Sequence, residues 1–199
     1  MQQTNWEFRC CLPDIVCLDT EGRSNQSKAP HPLDMATKTL RVASADNPLR
    51  CAILISGSGS GMEAMLHHQQ VTACLHTTCV VISNKPDVLG IERAKTLNTP
   101  TVVIELPIGL EGNARRLAHE LAIETVLIDY SVELVILSGY MRLLSPEFVE
   151  RWEGRVINIH PSLLPAFPGA HAHRDVIAAG ATKSGCSVHY VDAGMDTGK

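Results

Sequence analysis

No apolar run in this 199-residue chain approaches the ~18 residues that a membrane-crossing helix needs. The opening stretch "MQQTNWEFRCCLPDIVCLDTEG" lacks the basic start and apolar centre of a secretory signal, and Asp14, Asp19 and Glu21 argue against a transit peptide. A basic surplus is missing too. The formal net charge of −4 argues against a nucleic-acid binder that works by bulk electrostatics, while leaving room for a local anion pocket. The seven cysteines are odd in number, hold no CxxC pair and share no spacing, so the expected compartment is reducing and cytoplasmic. Cys51, Cys79 and Cys186 sit in strand-like apolar runs, where a thiol acts as a small hydrophobe. Internal repeats and low-complexity segments are also absent.

What is present is ordinary soluble-domain composition, 45% hydrophobic and 19% charged, in a chain long enough for one domain with a sizeable core. Residues 1–49 hold turn formers such as "EGRSNQSKAPHP" without periodicity, and read as an extension that is loosely ordered or packs late. From Cys51 onward the pattern alternates. Strand-like runs are "CAILIS", "CVVIS" (79–83), "TVVIEL" (101–106), "ELVILS" (133–138), "RVINIH" (155–160) and "GCSVHYVD" (185–192). Helix-like stretches run from Met62 to about Gln69 and through "LGIERAKTL", "NARRLAHELAIETVLIDY", "SPEFVERW" and "AHRDVIAAG". In the third of these named stretches, Ala114, Leu117, Ala118 and Leu121 fall at i, i+3, i+4 and i+7, the spacing of a core-facing stripe. Ser145 suits an N-cap with Pro146 at the first helical position, and Gly180 suits a helix stop. The expected fold is α/β, an open, mostly parallel, doubly wound sheet covered on both faces. The domain would span residues 50–199, and its abrupt end at "MDTGK" predicts a missing C-terminal part.

Two loops carry candidate chemistry. In "ILISGSGSGMEAML", Gly57, Ser58, Gly59, Ser60 and Gly61 lie between the first strand and first helix. Glycines let backbone N–H groups approach an anion, and the helix N-terminus adds partial positive charge. Neither a dinucleotide fingerprint nor a P-loop lysine is present, so a monophosphate fits better than a dinucleotide, and a ligand-free tight turn fits as well. The second loop, "NIHPSLLPAFPGAHAH", begins at Asn158. Asn158 and His160 are two apart at a strand end and share a face. An amide donor beside an imidazole suits acyl chemistry, through oxyanion stabilisation and proton movement. Asp196, in "DAGMDTG", would orient the ring and favour its imidazolium form if it lies near. A metal set of His160, His171, His173 and Asp196 is the rival, but no Cys or Glu lies close by in sequence to complete it, so no metal is expected. The adjacent His67 and His68 are expected to face solvent.

Together "ISGSGSG", "SNKPDVLGIERA", "LSGYMRLLSPEFV", "INIHPSLLPAFPGAHAHRDVI" and "SVHYVDAGMDTG" resemble the glycinamide ribonucleotide transformylase family of folate-dependent formyltransferases, from about Arg50 to Gly198. The resemblance implies a Rossmann-like formyltransferase fold and a role in purine biosynthesis. The formyl group of 10-formyltetrahydrofolate, the co-substrate, would pass to the amine of glycinamide ribonucleotide. It implies a catalytic set of Asn158, His160 and Asp196, and a substrate phosphate held by Gly59, Ser60 and Gly61. It implies a folate pocket from Met141, Arg142, Leu143 and Leu144, from Arg116 (with Arg115 as the rival), and from Asp192, Ala193, Gly194 and Met195, with Asn158 also facing the folate. His171 and His173 would support the loop. No metal, covalent intermediate or cysteine would take part. The expected partners are these two small molecules, with no nucleic acid or membrane, in a monomer or homodimer. Departures exist. Gly61 stands where the family commonly has Asn, Lys199 where Pro is usual, and the family chain continues past the aspartate with a strand, a helix and further substrate contacts. A formyltetrahydrofolate deformylase of the same superfamily, or a homologue that binds without turnover, is the alternative.

Overall fold

The computed structural model describes residues 40–199, so most of the expected extension, residues 1–39, lies outside the described residues. Among the described residues six strands form one sheet: β1 (Leu49–Ile55), β2 (His76–Ser83), β3 (Thr101–Val103), β4 (Leu134–Ser138), β5 (Val156–His160) and β6 (Ser187–Tyr190). Their order is β3-β2-β1-β4-β5-β6. The first five run parallel, and β6 pairs antiparallel with β5. The open, mostly parallel sheet expected from the alternating pattern is therefore what forms. Strand order reverses between β1 and β4, and open sheets bind ligands beyond the carboxyl ends of their strands at such a switch point.

Alternation along the strands explains the two cores. Cys51, Ile53 and Ile55 of β1 and Leu134 and Ile136 of β4 pack under Met62, Met65 and Leu66 of α1 (Ser60–Val71) and Ala94 of α2 (Leu89–Thr96). The intervening residues Ala52, Leu54, Val135 and Leu137 face the opposite way. They meet Ile123 and Leu127 of α3 (Gly112–Asp129), and Phe148 and Trp152 at α4 (Pro146–Arg151). Each large apolar side chain so buried contributes about 1.5–3 kcal/mol. A last helix, α5 (Ala172–Ala178), stops where Gly180 turns back at φ +62°.

The stripe expected on α3 is not the buried one. Ala114 and Leu121 are exposed, and the helix buries His119, Glu120, Ile123 and Leu127. Two polar residues replace the expected apolar ones because each finds partners. His119 Nε2 donates to the Ile104 carbonyl at 2.8 Å. Glu120 accepts from the Ser145 backbone N–H at 2.7 Å and, through a very short contact, from the Ser145 hydroxyl. Ser145 caps α4 as expected, accepting from Phe148 N–H at 3.1 Å. Strand β3 is also shorter than the "TVVIEL" run, which continues as irregular chain toward Pro107. Cys186 departs from its expected place, being exposed and just outside β6.

Residues 40–48, assigned by sequence to the extension, lie against the domain. Leu40 joins the α1-side core, and Arg41 pairs with Glu133 through both carboxylate oxygens while donating to the Asn47 and Pro48 carbonyls.

Candidate active site

The carboxyl end of β5 delivers Asn158 and His160, and the turn after β6 delivers Asp196. These three, expected from sequence as a set, are brought together. Asp196 Oδ2 lies 3.4 Å from His160 Nδ1 and accepts from the Gly169 N–H at 2.8 Å. Asp196 Oδ1 accepts from Asn158 Nδ2 at 3.2 Å. The other ring nitrogen, His160 Nε2, meets the Phe167 carbonyl at 2.9 Å. Both imidazole nitrogens therefore face oxygen acceptors. The His160 and Asp196 side chains are only 4% and 10% exposed, so their interaction is screened less than a surface pair. Phe167 at φ +56° and Asp196 at φ +55° both adopt left-handed backbone. For a bulky residue that conformation is strained, and here it aims the carbonyl at His160.

One member of the cluster was not foreseen. His189 sits directly across from Asn158 in the β5–β6 register. Its Nε2 is 3.2 Å from Asn158 Nδ2 and 3.6 Å from Asp196 Oδ1, and its Nδ1 donates to the Tyr190 carbonyl at 2.9 Å. With Nδ1 as donor, Nε2 is free to accept from the Asn158 amide. Asn158 thus shares its two N–H groups between His189 and Asp196. Around them the loop is tied down by serines. Ser162 donates to the Ala166 carbonyl at 2.6 Å, and Ser187 bridges the Ser162 carbonyl and the Leu164 N–H. Asp192 accepts from Gly194 N–H and from the Thr197 hydroxyl, closing the turn that presents Asp196.

The glycine loop stands at the carboxyl end of β1, with β4 between it and β5. Gly59 takes φ +63° and is the N-cap of α1, with Ser60 and Gly61 in its first turn. Close approach demands glycine at two positions. A Cβ on Gly59 would lie 2.9 Å from Gly90 Cα, and one on Gly90 would lie 2.8 Å from the Gly57 carbonyl. The loop is joined to the 141–144 segment through Ser56, whose hydroxyl donates to Asn84 Oδ1 at 2.6 Å and accepts from Met141 N–H at 2.8 Å. Met141 and Leu143 are exposed, while Arg142 and Leu144 are half-buried. Ala193, Gly194 and Met195 are exposed on the turn before Asp196. Of the two rival arginines, Arg115 Nε donates to the Pro107 carbonyl at 3.0 Å. Arg116 donates to Asn113 Oδ1 one turn back and keeps a buried Nε with no partner.

A family profile described as formyl transferase matches residues 49–199. The chain belongs to the formyl transferase family. Relatives with purine-biosynthetic names are among the proteins it resembles. It is 38% identical over 152 residues to the phosphoribosylglycinamide formyltransferase of Escherichia coli (strain K12), covering 75% of this chain and 69% of that protein. To the Bacillus subtilis (strain 168) protein of the same name it is 41% identical over 147 residues, covering 74% and 73%. The trifunctional purine biosynthetic protein adenosine-3 of Gallus gallus is 41% identical over 152 residues, 76% of this chain but 15% of that much longer protein. A solved structure of glycinamide ribonucleotide transformylase 1 from Symbiobacterium toebii superposes with a TM-score of 0.68 at 38% identity, covering 75% of this chain and 68% of that one.

The formyl transferase match begins at the first residue of β1, one residue before the boundary read from sequence. His171 and His173 are exposed, as are His67 and His68. Among the described residues no group of three or more His, Cys, Asp or Glu side chains is arranged to hold a metal ion, and no helix is long and apolar enough to cross a membrane. Burial pushes the Cys51 thiol up to about 12, which keeps it protonated and unreactive.

Proposed function

We propose that this chain transfers the formyl group of 10-formyltetrahydrofolate to the amine of glycinamide ribonucleotide, giving formylglycinamide ribonucleotide and tetrahydrofolate. The observation that carries the reading is the Asp196 carboxylate shared by His160, Asn158 and Gly169, at the same edge of the sheet as the glycine loop that opens α1. In this reading the phosphate of the ribonucleotide sits on the first-turn N–H groups of α1 at Gly59, Ser60 and Gly61. The folate occupies the side bounded by Met141, Arg142, Leu143 and Leu144 and by residues 192–195. Arg116 rather than Arg115 faces it, because its buried Nε lacks a partner.

The chemistry follows from charge flow. The amine nitrogen attacks the formyl carbon, and the carbonyl oxygen becomes an oxyanion. His160 and an N–H of Asn158 stabilise that oxygen. To do so, Asn158 draws one N–H away from Asp196 or His189, whose hydrogen bonds to it are both long at 3.2 Å. Asp196 holds the imidazole in orientation. Collapse of the intermediate breaks the bond to the folate N10, which takes the proton lost by the amine. Residues 50–199 supply this machinery as one domain, with residues 1–49 as its extension, working in the cytoplasm. Incubation with 10-formyltetrahydrofolate labelled at the formyl carbon tests the reading. Label appearing in an amide on the ribonucleotide supports it, and label appearing only as formate contradicts it.

A further inference from the structure

Ser138 is the last residue of β4, and the mechanism above gives it no role. It continues the face of Leu134 and Ile136, which packs under α1. The residue is 8% exposed, yet its hydroxyl has no hydrogen-bond partner among the described residues. Its oxygen is not among the fully buried unpartnered atoms, so the hydroxyl keeps an opening through which a ligand can reach it. Directly against it stands Gly61, where a Cβ would lie 2.8 Å from Ser138 Oγ. The hydroxyl therefore occupies the space that a side chain at position 61 would need, and points into the first turn of α1. That turn exposes the unpaired N–H groups of Ser60, Gly61 and Met62 and the positive end of the helix dipole. The backbone around Ser138 is fixed. Ser56 N–H donates to the Gly139 carbonyl at 3.2 Å, and Met141 N–H donates to Ser56 Oγ.

We propose that Ser138 is a further phosphate ligand, its hydroxyl donating to the same anion that the first turn of α1 holds. The side-chain donor that Gly61 cannot supply is replaced from the neighbouring strand. Gly61 is required because any Cβ there would displace the Ser138 hydroxyl. A phosphate monoester is the ligand class, since one helix N-terminus and one hydroxyl converge on a single anionic group. The inference rests on the assignment of the glycine loop as the phosphate site.

The test uses the full chain with Ser138→Ala and, separately, Gly61→Ala. Steady-state kinetics should show KM for glycinamide ribonucleotide raised about tenfold in each, as for a lost hydrogen bond to a charged group. KM for 10-formyltetrahydrofolate should stay within about twofold, which a general loss of packing would not give. A second readout is thermal protection by inorganic phosphate, strong in the wild-type chain and weaker in both variants. Phosphate protection that depends on Ser138 supports the site even if the ribonucleotide is not turned over, in which case the proposed function fails alone. Equal KM and equal protection in wild type and Ser138→Ala overturn the site while leaving the function standing. A wild-type chain that phosphate does not protect and the ribonucleotide does not saturate overturns both.

Discussion

Asp196 accepts from two neutral donors and lies beside two imidazoles, and its backbone is left-handed. Asp tolerates that conformation better than most residues, so the turn and the carboxylate select the same side chain. Asp196→Asn keeps the shape and removes the charge facing His160. Its kcat should fall by ~10²–10⁴, the usual range for a lost acid–base group, with a melting transition close to that of wild type. A fall below tenfold would remove Asp196 from the chemistry. His189 acts at one remove, by holding the Asn158 amide. His189→Phe should lower kcat about tenfold or more through misplacement of that amide, while KM for the ribonucleotide changes little. An unchanged kcat would make His189 a packing residue. The meeting of these side chains was legible because strand alternation puts Asn158 and His160 on one face and the family motif adds Asp196. His189 was hidden for a physical reason. Its pairing with Asn158 depends on the antiparallel register of β6, and a 26-residue connection from His160 to Ser187 does not announce that register.

At the scale of elements, α3 and α4 are joined by a buried carboxylate. Glu120 is 2% exposed and satisfied by the backbone and hydroxyl of Ser145, which in turn caps α4. Ser145→Ala removes the cap and strands part of that carboxylate, and should cost about 1–3 kcal/mol in urea unfolding. A loss within about 0.5 kcal/mol would contradict the account. The same contact fixes the far end of the 139–145 loop, whose near end is held by Ser56. The cap at Ser145 and Pro146 was readable from sequence. The buried stripe of α3 was not, since a pattern of apolar spacing cannot show that His119 and Glu120 will be buried once each has a partner.

His119 also gives the molecule a pH dependence. Burial lowers its affinity for protons below the ordinary imidazole value of 6.5, reinforced by Arg142 and opposed by the Ile104 carbonyl and Glu120. The folded state then binds fewer protons than the unfolded state as pH falls below 6.5. Stability is full above that value and is lost as pH drops through it toward the lowered folded value. Urea unfolding between pH 7.5 and 5.5 should show this loss, and His119→Gln should flatten the curve, leaving the part due to His76, which burial also lowers. A variant with the wild-type slope would rule out His119 as the source.

At the scale of the whole molecule, a doubly wound sheet brings two loops far apart in sequence, 57–61 and 158–169, to one edge beside its switch point. The architecture was legible because continuously apolar strands alternate with helices. The antiparallel edge and the packing of residues 40–48 through Arg41 and Glu133 were not, since both depend on contacts between distant segments. The central claim is that this edge carries formyl transfer to the ribonucleotide amine. The most direct measurement is tetrahydrofolate release from 10-formyltetrahydrofolate, with and without glycinamide ribonucleotide, in wild type and His160→Ala. The account predicts release only with the ribonucleotide, lost in the variant. Release that needs no ribonucleotide, or that survives His160→Ala undiminished, would contradict it.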